Sequence, residues 1–309
     1  MNRIVVTGAT SMLGIALIQE CIRNNTEVLA IVRIRSPHLG RLPSSALLRV
    51  VSCDLADLSR FPVSTEQDQK CVVFYHFGWR GTDKKERDNP DTQLENVKYT
   101  LDAVRLAHRL GCRVFVGAGS QAEYGRTDAD LTPETPVHPE SAYGITKFAA
   151  SKLSLLLAKD LGMIHVWARV LSVYGPYDGE HTMIMSGIRQ LLSGERPKYT
   201  KGEQMWDYLY CEDAARAFYL MGEKAKGHAV YCLGSGIARP IRDYITLLRN
   251  AVDPTLEVEL GEIEYPDNQV MHLCANIQSL STDTGFVPRI PFETGIKKTI
   301  EWYKETMNQ

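Results

Sequence analysis

Short apolar, β-branched runs alternate with longer stretches of helical periodicity through the first half of the chain. The runs Ile4 to Thr7, Val28 to Val32, Leu48 to Ser52, Cys71 to His76, Arg113 to Val116 and His165 to Leu171 read as strands. Between them, apolar residues recur at helical spacing near 12 to 24, 92 to 110 and 143 to 161. Such alternation predicts an α/β fold with a parallel sheet and helices on both faces. Leu94, Val97, Leu101, Val104 and Leu110 form a stripe on one long helix, and Phe148, Leu155 and Leu156 are apolar positions on the next. Stripes of this kind are expected to be core. After Gly175-Pro176 the regularity weakens, with a helix near 182 to 193, a break at Ser193-Gly-Glu-Arg-Pro197 and a strand at Ala229 to Leu233. From about Ser235 onward only short elements separated by Pro and Gly are expected.

A chain of 309 residues with 44% hydrophobic content can bury a large core, as one large domain or two smaller ones. Its net charge of -2, without a long basic run, gives no electrostatic case for nucleic acid or an anionic membrane. The apolar N-terminus lacks a clear h-region and cleavage site, and no 18-residue apolar span occurs, so a soluble cytoplasmic protein is expected. Seven widely spaced cysteines without a Cys-x-x-Cys pair read as small hydrophobes, and eight histidines show no pairing at ligand spacing. No metal is expected.

Candidate chemistry begins at Arg3-Ile-Val-Val-Thr-Gly-Ala-Thr-Ser-Met-Leu-Gly14, which reads as strand, tight turn and helix. Gly8 lets the backbone approach a pyrophosphate, and the helix N-terminus offers free N–H groups and a positive dipole end. The middle glycine of the usual pattern is Ser11, and a plain strand-to-helix corner is the competing reading. Ser120 follows Val114-Phe-Val116 and Gly117-Ala-Gly, and should emerge at the carboxyl end of a strand, where open sheets bind ligands. A hydroxyl there can stabilise charge developing on a carbonyl oxygen, although many loop serines only cap a turn. In Ser141-Ala-Tyr-Gly-Ile-Thr-Lys147, the i,i+4 spacing brings the Lys147 ammonium near the Tyr143 phenol on one helix face. A neighbouring cation is expected to lower the phenol's pKa and suit it to proton transfer.

In their order along the chain, Thr7 to Gly14, Cys53-Asp-Leu55, His76-Phe-Gly78, Asn96-Val97, Ser120, Tyr143, Lys147, Arg169 to Pro176 and Trp206 to Asp213 resemble the extended short-chain dehydrogenase/reductases. The likeness spans nearly the whole chain and is strongest to the branch acting on nucleotide-activated sugars. It implies a Rossmann-type doubly wound parallel sheet with a smaller, interleaved C-terminal substrate region. The expected division is a dinucleotide-binding domain over 1–172, with 207–234 returning to it, and a substrate-binding region over 173–206 and 235–309. It also implies a homodimer paired through the two long helices. Gly8, Thr10, Ser11, Met12, Leu13, Gly14, Asp54, Leu55, Phe77, Gly78, Trp79, Asn96 and Val170, with Tyr143 and Lys147, are the implied cofactor contacts. Asp54 fits the position that meets the adenine, and Phe77 to Trp79 the loop along the cofactor.

The second strand runs out at Ile31-Val-Arg-Ile-Arg35, with no acidic residue between Glu27 and Asp54. An acid there binds the ribose 2′-OH of NAD, whereas arginine accommodates the 2′-phosphate of NADP. Arg33 and Arg35 alternate with Ile34 and are expected to reach that phosphate, so NADP(H) is favoured with NAD(H) as the alternative. The family's dehydratases carry an Asp-Glu pair after the catalytic hydroxyl, where this chain has Gln121 and Ala122. An epimerising cysteine found two residues after the serine in GDP-fucose synthase is matched by Ala122. What remains is NADPH-dependent reduction of a 4-keto-6-deoxyhexose carried on a nucleotide, with Tyr143 giving the proton, Ser120 holding the oxygen and Lys147 binding the ribose. Gln121, Ser172, His181, Arg189 and Trp206 are the candidate substrate contacts. Ser172 replaces the family's usual Asn and Trp206 its usual Arg, leaving Arg189 or Lys198 as alternative anchors for the diphosphate. An NAD-recycling sugar epimerase would use the same three residues, and a non-enzymatic dinucleotide sensor is a third reading.

Overall fold

The apolar runs pair side by side, as their alternation with helices requires. A computed structural model describes residues 1–63, 71–83, 85–267 and 269–307. Its main sheet contains β1 (Arg3–Thr7), β2 (Glu27–Val32), β3 (Leu48–Ser52), β4 (Val73–His76), β5 (Val114–Ser120), β6 (Ile164–Val170) and β7 (Ala229–Leu233). The strands are all parallel, in the order β7-β6-β5-β4-β1-β2-β3. This is a doubly wound, Rossmann-type sheet, and its winding reverses between β1 and β4. The crevice outside the carboxyl ends of those strands is where such sheets receive ligands. Cover on both faces explains why β1 and β4 are apolar at every central position, with Ile4, Val5, Val6, Val73, Phe74 and Tyr75 all fully buried.

One face carries α1 (Met12–Arg23), which packs against a later helix, Cys211–Lys224. The other carries α2 (Pro90–Arg109) and α3 (Ala142–Asp160), packed on each other. Asn89 starts α2 by accepting from the amides of Asp91 and Thr92, with Pro90 in the first turn. Ser141 starts α3 by accepting from the Gly144 amide at 3.1 Å. The expected core stripes hold only in part. Val97, Val104 and Leu110 are buried, but Leu94 is 64% exposed and Leu156 58%. On α3 the buried positions are instead the small residues Ala150, Ser151, Ser154 and Ala158. The face of α3 turned to α2 and the sheet thus carries small residues, and Ile145, Leu153 and Leu156 lie on the outside with Leu94.

The C-terminal part corrects the expectation of short elements only. After α4 (Met183–Leu192) and α5 (Cys211–Lys224) come α6 (Ile241–Val252), α7 (Gln278–Thr284) and α8 (Phe292–Met307). Ile184 and Ile188 of α4, Tyr244 and Leu248 of α6 and Phe292 and Ile296 of α8 share one buried cluster. Between these helices the chain returns to short strands: Met205–Trp206 pairs with Arg239–Pro240 and His272–Leu273, and Tyr208–Tyr210 with Ser172–Tyr174. The fully buried Asp207 carboxylate ties these pieces together. It accepts from the amides of Ser235 (2.7 Å), Gly236 (3.0 Å) and Ala275 (3.1 Å) and from the Ser235 hydroxyl (2.6 Å).

Candidate active site

At the end of β1 the chain turns through Gly8, whose φ of +68° is left-handed. A Cβ there would also lie 2.6 Å from the Phe77 carbonyl carbon. Ser11 takes over the bracing of this turn, since its hydroxyl donates to the Gly8 carbonyl (2.7 Å) and accepts from the Gly14 amide (3.1 Å). As the residues opening α1, Met12 and Leu13 have backbone N–H groups without an intrahelical acceptor, and Ser11, Met12 and Leu13 line a cavity of about 610 Å³. Free amides at the positive end of a helix dipole fit a dinucleotide's pyrophosphate. Behind the turn, Thr7 shares a hydrogen bond with His76 (2.8 Å) and accepts from the Gly78 amide (3.3 Å). Burial, with the nearby Lys147 charge, pushes His76 down to about 3, so this ring is neutral and structural.

The same cavity is walled by Ser120, Tyr143 and Lys147. Ser120 is the last residue of β5, at the carboxyl edge. Its hydroxyl accepts from the Ala122 amide (3.2 Å) and stands beside the Tyr143 phenol in the same cavity wall, so it serves both the site and the turn. The Lys147 ammonium is 5.6 Å from the Tyr143 ring centroid. Its own contacts lie elsewhere, however: it donates to the Ala118 carbonyl at 2.7 Å and sits 3.7 Å above the Trp79 ring. Burial drives Lys147 down to about 7, against the pull of the Glu123 carboxylate and with the push of Arg87. The phenol is correspondingly not lowered as the spacing predicts. Burial raises Tyr143 above the ordinary phenol value, and the groups opposing that rise are the Arg87 guanidinium and the Ser120 hydroxyl.

Beneath the site lies a charged pair that the sequence reading missed. Glu123 is fully buried and accepts from the Ser120 amide, the Trp167 indole and the Arg169 guanidinium, each at 2.9 Å. Arg169 is only 3% exposed and lies over the Tyr124 ring. Trp167 in turn explains Gly119, because a Cβ there would come within 2.3 Å of the indole nitrogen. An arginine inside the apolar run Ile164–Val170 was the available signal, since buried charge requires a partner. Asp178 is a second unforeseen wall residue, raised to about 6 by burial despite hydrogen bonds from the Gly179 amide and the Thr182 hydroxyl.

The remaining candidates divide clearly. Phe77, Trp79, Gln121, Val170, Ser172 and Trp206 line the cavity, and the two departures from the family pattern meet, with the Trp206 indole donating to the Ser172 hydroxyl at 2.8 Å. His181 and Arg189 are exposed and do not line it, and Lys198 is exposed and faces Glu259. Asn96 does not reach it either. Its amide is spent on the Arg80 backbone, accepting at 2.8 Å and donating at 2.9 Å. Thr10 completes the turn, Leu55 packs against Gly78, and the Asp54 carboxylate accepts from the Ile34 amide at 3.1 Å. β2 ends at Val32, so Arg33 and Arg35 do not alternate along a strand. Arg35 instead takes a left-handed φ of +55° in a turn closed by Ser36 N–H to Arg33 C=O. Both arginines are exposed, and among the described residues neither side chain has an ion-pair or hydrogen-bond partner. No cluster of metal-ligating side chains and no helix long and apolar enough to cross a membrane occurs among the described residues.

The sequence signature of the NAD dependent epimerase/dehydratase family matches residues 4–234. The chain belongs to that family. A dTDP-glucose 4,6-dehydratase of Mycobacterium tuberculosis is 24% identical, over 98% of this chain and 93% of its own. Among solved structures, the fold matches a UDP-N-acetylglucosamine 4-epimerase from Methanobrevibacter ruminantium with a TM-score of 0.87 at 20% identity, covering 99% of both chains. A UDP-glucuronic acid 4-epimerase from Bacillus cereus in complex with NAD matches with a TM-score of 0.83 at 21% identity, over 98% of this chain and 99% of that one. With the family established, the protein is an oxidoreductase-type enzyme of the extended short-chain dehydrogenase/reductase class.

Proposed function

We propose that this family member is an NADPH-dependent 4-ketoreductase of a nucleotide-activated 4-keto-6-deoxyhexose. The observation that carries this reading is the wall beside Ser120. Gln121 lines the cavity and Ala122 follows it, so the two positions after the hydroxyl hold no group that ionises. Elimination of water needs an acid and a base there, and ketone reduction needs neither. Nicotinamide, when bound, supplies the hydride. Ser120 then holds the carbonyl oxygen, and Tyr143, beside it in the same cavity wall, delivers the proton. Lys147, buried in the cavity wall beside Tyr143, would hold the nicotinamide ribose. Trp206 and Ser172 offer an aromatic face and a hydroxyl in place of the usual charged anchor.

Arg33 and Arg35, exposed and without a side-chain partner among the described residues, would meet a 2′-phosphate. Hydrogen bonds to charged groups contribute roughly 1.5 to 3 kcal/mol each. Changing both to Ser should therefore weaken NADPH binding at least about tenfold and leave NADH binding nearly unchanged, which fluorescence titration of both cofactors checks. Their turn conformation favours the second reading, an NAD-recycling nucleotide-sugar epimerase, because Arg35 does not continue the strand toward the ribose. The two separate on denaturing freshly purified protein: a reductase exchanges its cofactor and releases little, whereas an epimerase releases about one NAD per chain.

We also infer a homodimer in which a second copy covers Leu94, Ile145, Leu153 and Leu156 on α2 and α3. Across a two-fold axis Leu156→Glu would set like charges close together. That variant should elute as a monomer, with light scattering giving half the wild-type mass.

A further inference from the structure

Arg87 was not singled out by any motif, yet its guanidinium carbon lies 4.2 Å from the centroid of the Tyr143 ring and its side chain lines the cavity. Among the described residues its guanidinium has no carboxylate or hydrogen-bond partner, the backbone amide alone donating to the Asp83 carbonyl. An arginine left unpaired at a half-buried position is costly unless it acts on something there. We propose that Arg87 is a positioning residue for the catalytic tyrosine, its guanidinium supplying the standing positive charge that lets the phenol give up and regain a proton. The proposal rests on the reading of Tyr143 as the proton donor.

The seat of Arg87 is built. It lies in the loop that joins β4 to α2, and that loop is held from beneath by Gln93, which is fully buried. The Gln93 amide donates to the carbonyls of Gly81 (2.7 Å) and Glu86 (3.0 Å) and accepts from the Trp79 indole (2.8 Å). Asn96 fixes Arg80 from the same helix, and the Thr92 hydroxyl donates to the Glu86 carboxylate at 2.9 Å. One pinned loop thus sets Trp79 under Lys147 and Arg87 over Tyr143.

The charges around the phenol explain why a second cation is needed. Tyr143 faces the Ser120 hydroxyl from β5, the Trp79 ring edge at 6.0 Å, the Glu123 carboxylate from the turn after β5, Lys147 from its own helix and Arg87 from the loop. Burial and Glu123 both disfavour phenolate. Lys147 is pushed to about 7 and directs its hydrogen bond to Ala118, so near neutral pH it is an unsteady source of charge. A guanidinium stays protonated at every pH of interest. Removing it should raise the Tyr143 midpoint, and Lys at the same place should restore most of the effect.

Protein labelled with ¹³C at tyrosine Cζ allows this to be read by NMR without any substrate, the Tyr143 signal being the one lost in Tyr143→Phe. Arg87→Met and Arg87→Gln should each move its midpoint upward by about one pH unit or more, the size expected of a cation within ~4–6 Å, and Arg87→Lys by much less. Equal midpoints in the wild type and both neutral variants would overturn the proposal. So would an Arg87→Lys midpoint raised as far as those of the two neutral variants. Because no turnover is measured, the outcome is independent of whether the sugar assignment is right.

Discussion

Tyr143→Phe should cut turnover by the ~10²- to 10⁴-fold expected on losing a general acid, while cofactor affinity stays nearly unchanged. The substitution is confined to the hydroxyl. The ring keeps its edge-on contact with Trp79 and its place beneath Arg87, so the pocket's shape survives. What disappears is the phenolic hydroxyl and the proton it would give. Steady-state kinetics paired with cofactor titration separate the two effects. Retention of most of the activity would remove Tyr143 from the mechanism.

The largest loss of stability is expected at Glu123. Glu123→Ala removes the acceptor for the Ser120 amide, the Trp167 indole and the Arg169 guanidinium at once, and strands a guanidinium that water barely reaches. Breaking one side of a buried pair costs about 3–5 kcal/mol, because the remaining charge is left uncompensated. Removing both charges is gentler, so Glu123→Ala combined with Arg169→Met should be more stable than Glu123→Ala alone. Urea denaturation of the three proteins at neutral pH decides it. A single variant within about 1 kcal/mol of wild type would mean that solvent or a neighbour satisfies Arg169 after all. The pair also braces β5 at Ser120, so the single variant should lose activity along with stability.

Much of the fold was readable because a doubly covered parallel sheet demands continuous apolar strands, and runs such as Ile4 to Thr7 and Val28 to Val32 have no other obvious use. The face of α3 was misread for a reason of volume. Leu156 looked like core together with Phe148 and Leu155, but the face of α3 packed on α2 carries Ala150, Ser151 and Ser154. α6 went unseen although Ile241, Tyr244, Ile245 and Leu248 carry helical spacing, because the surrounding Pro and Gly drew attention to breaks. In the site, Ser120, Tyr143 and Lys147 were legible from spacing and order. Arg87 was not, since nothing local marks a loop arginine that a buried glutamine folds back over a ring. The i,i+4 rule brought Lys147 near the phenol but could not show that the Ala118 carbonyl and the Trp79 ring would claim its ammonium. The same limit applies to Arg33 and Arg35, where strand alternation ended at Val32.

The most direct test is to incubate the purified enzyme with NADPH and a panel of CDP-, dTDP- and GDP-linked 4-keto-6-deoxyhexoses, following absorbance at 340 nm and the products by mass. The account predicts that one of these sugars is reduced with one NADPH consumed per product, and that NADH supports the reaction far more slowly. Failure to oxidise NADPH with any keto-sugar, together with interconversion of 4-epimeric nucleotide sugars by enzyme that retains its NAD, would contradict it.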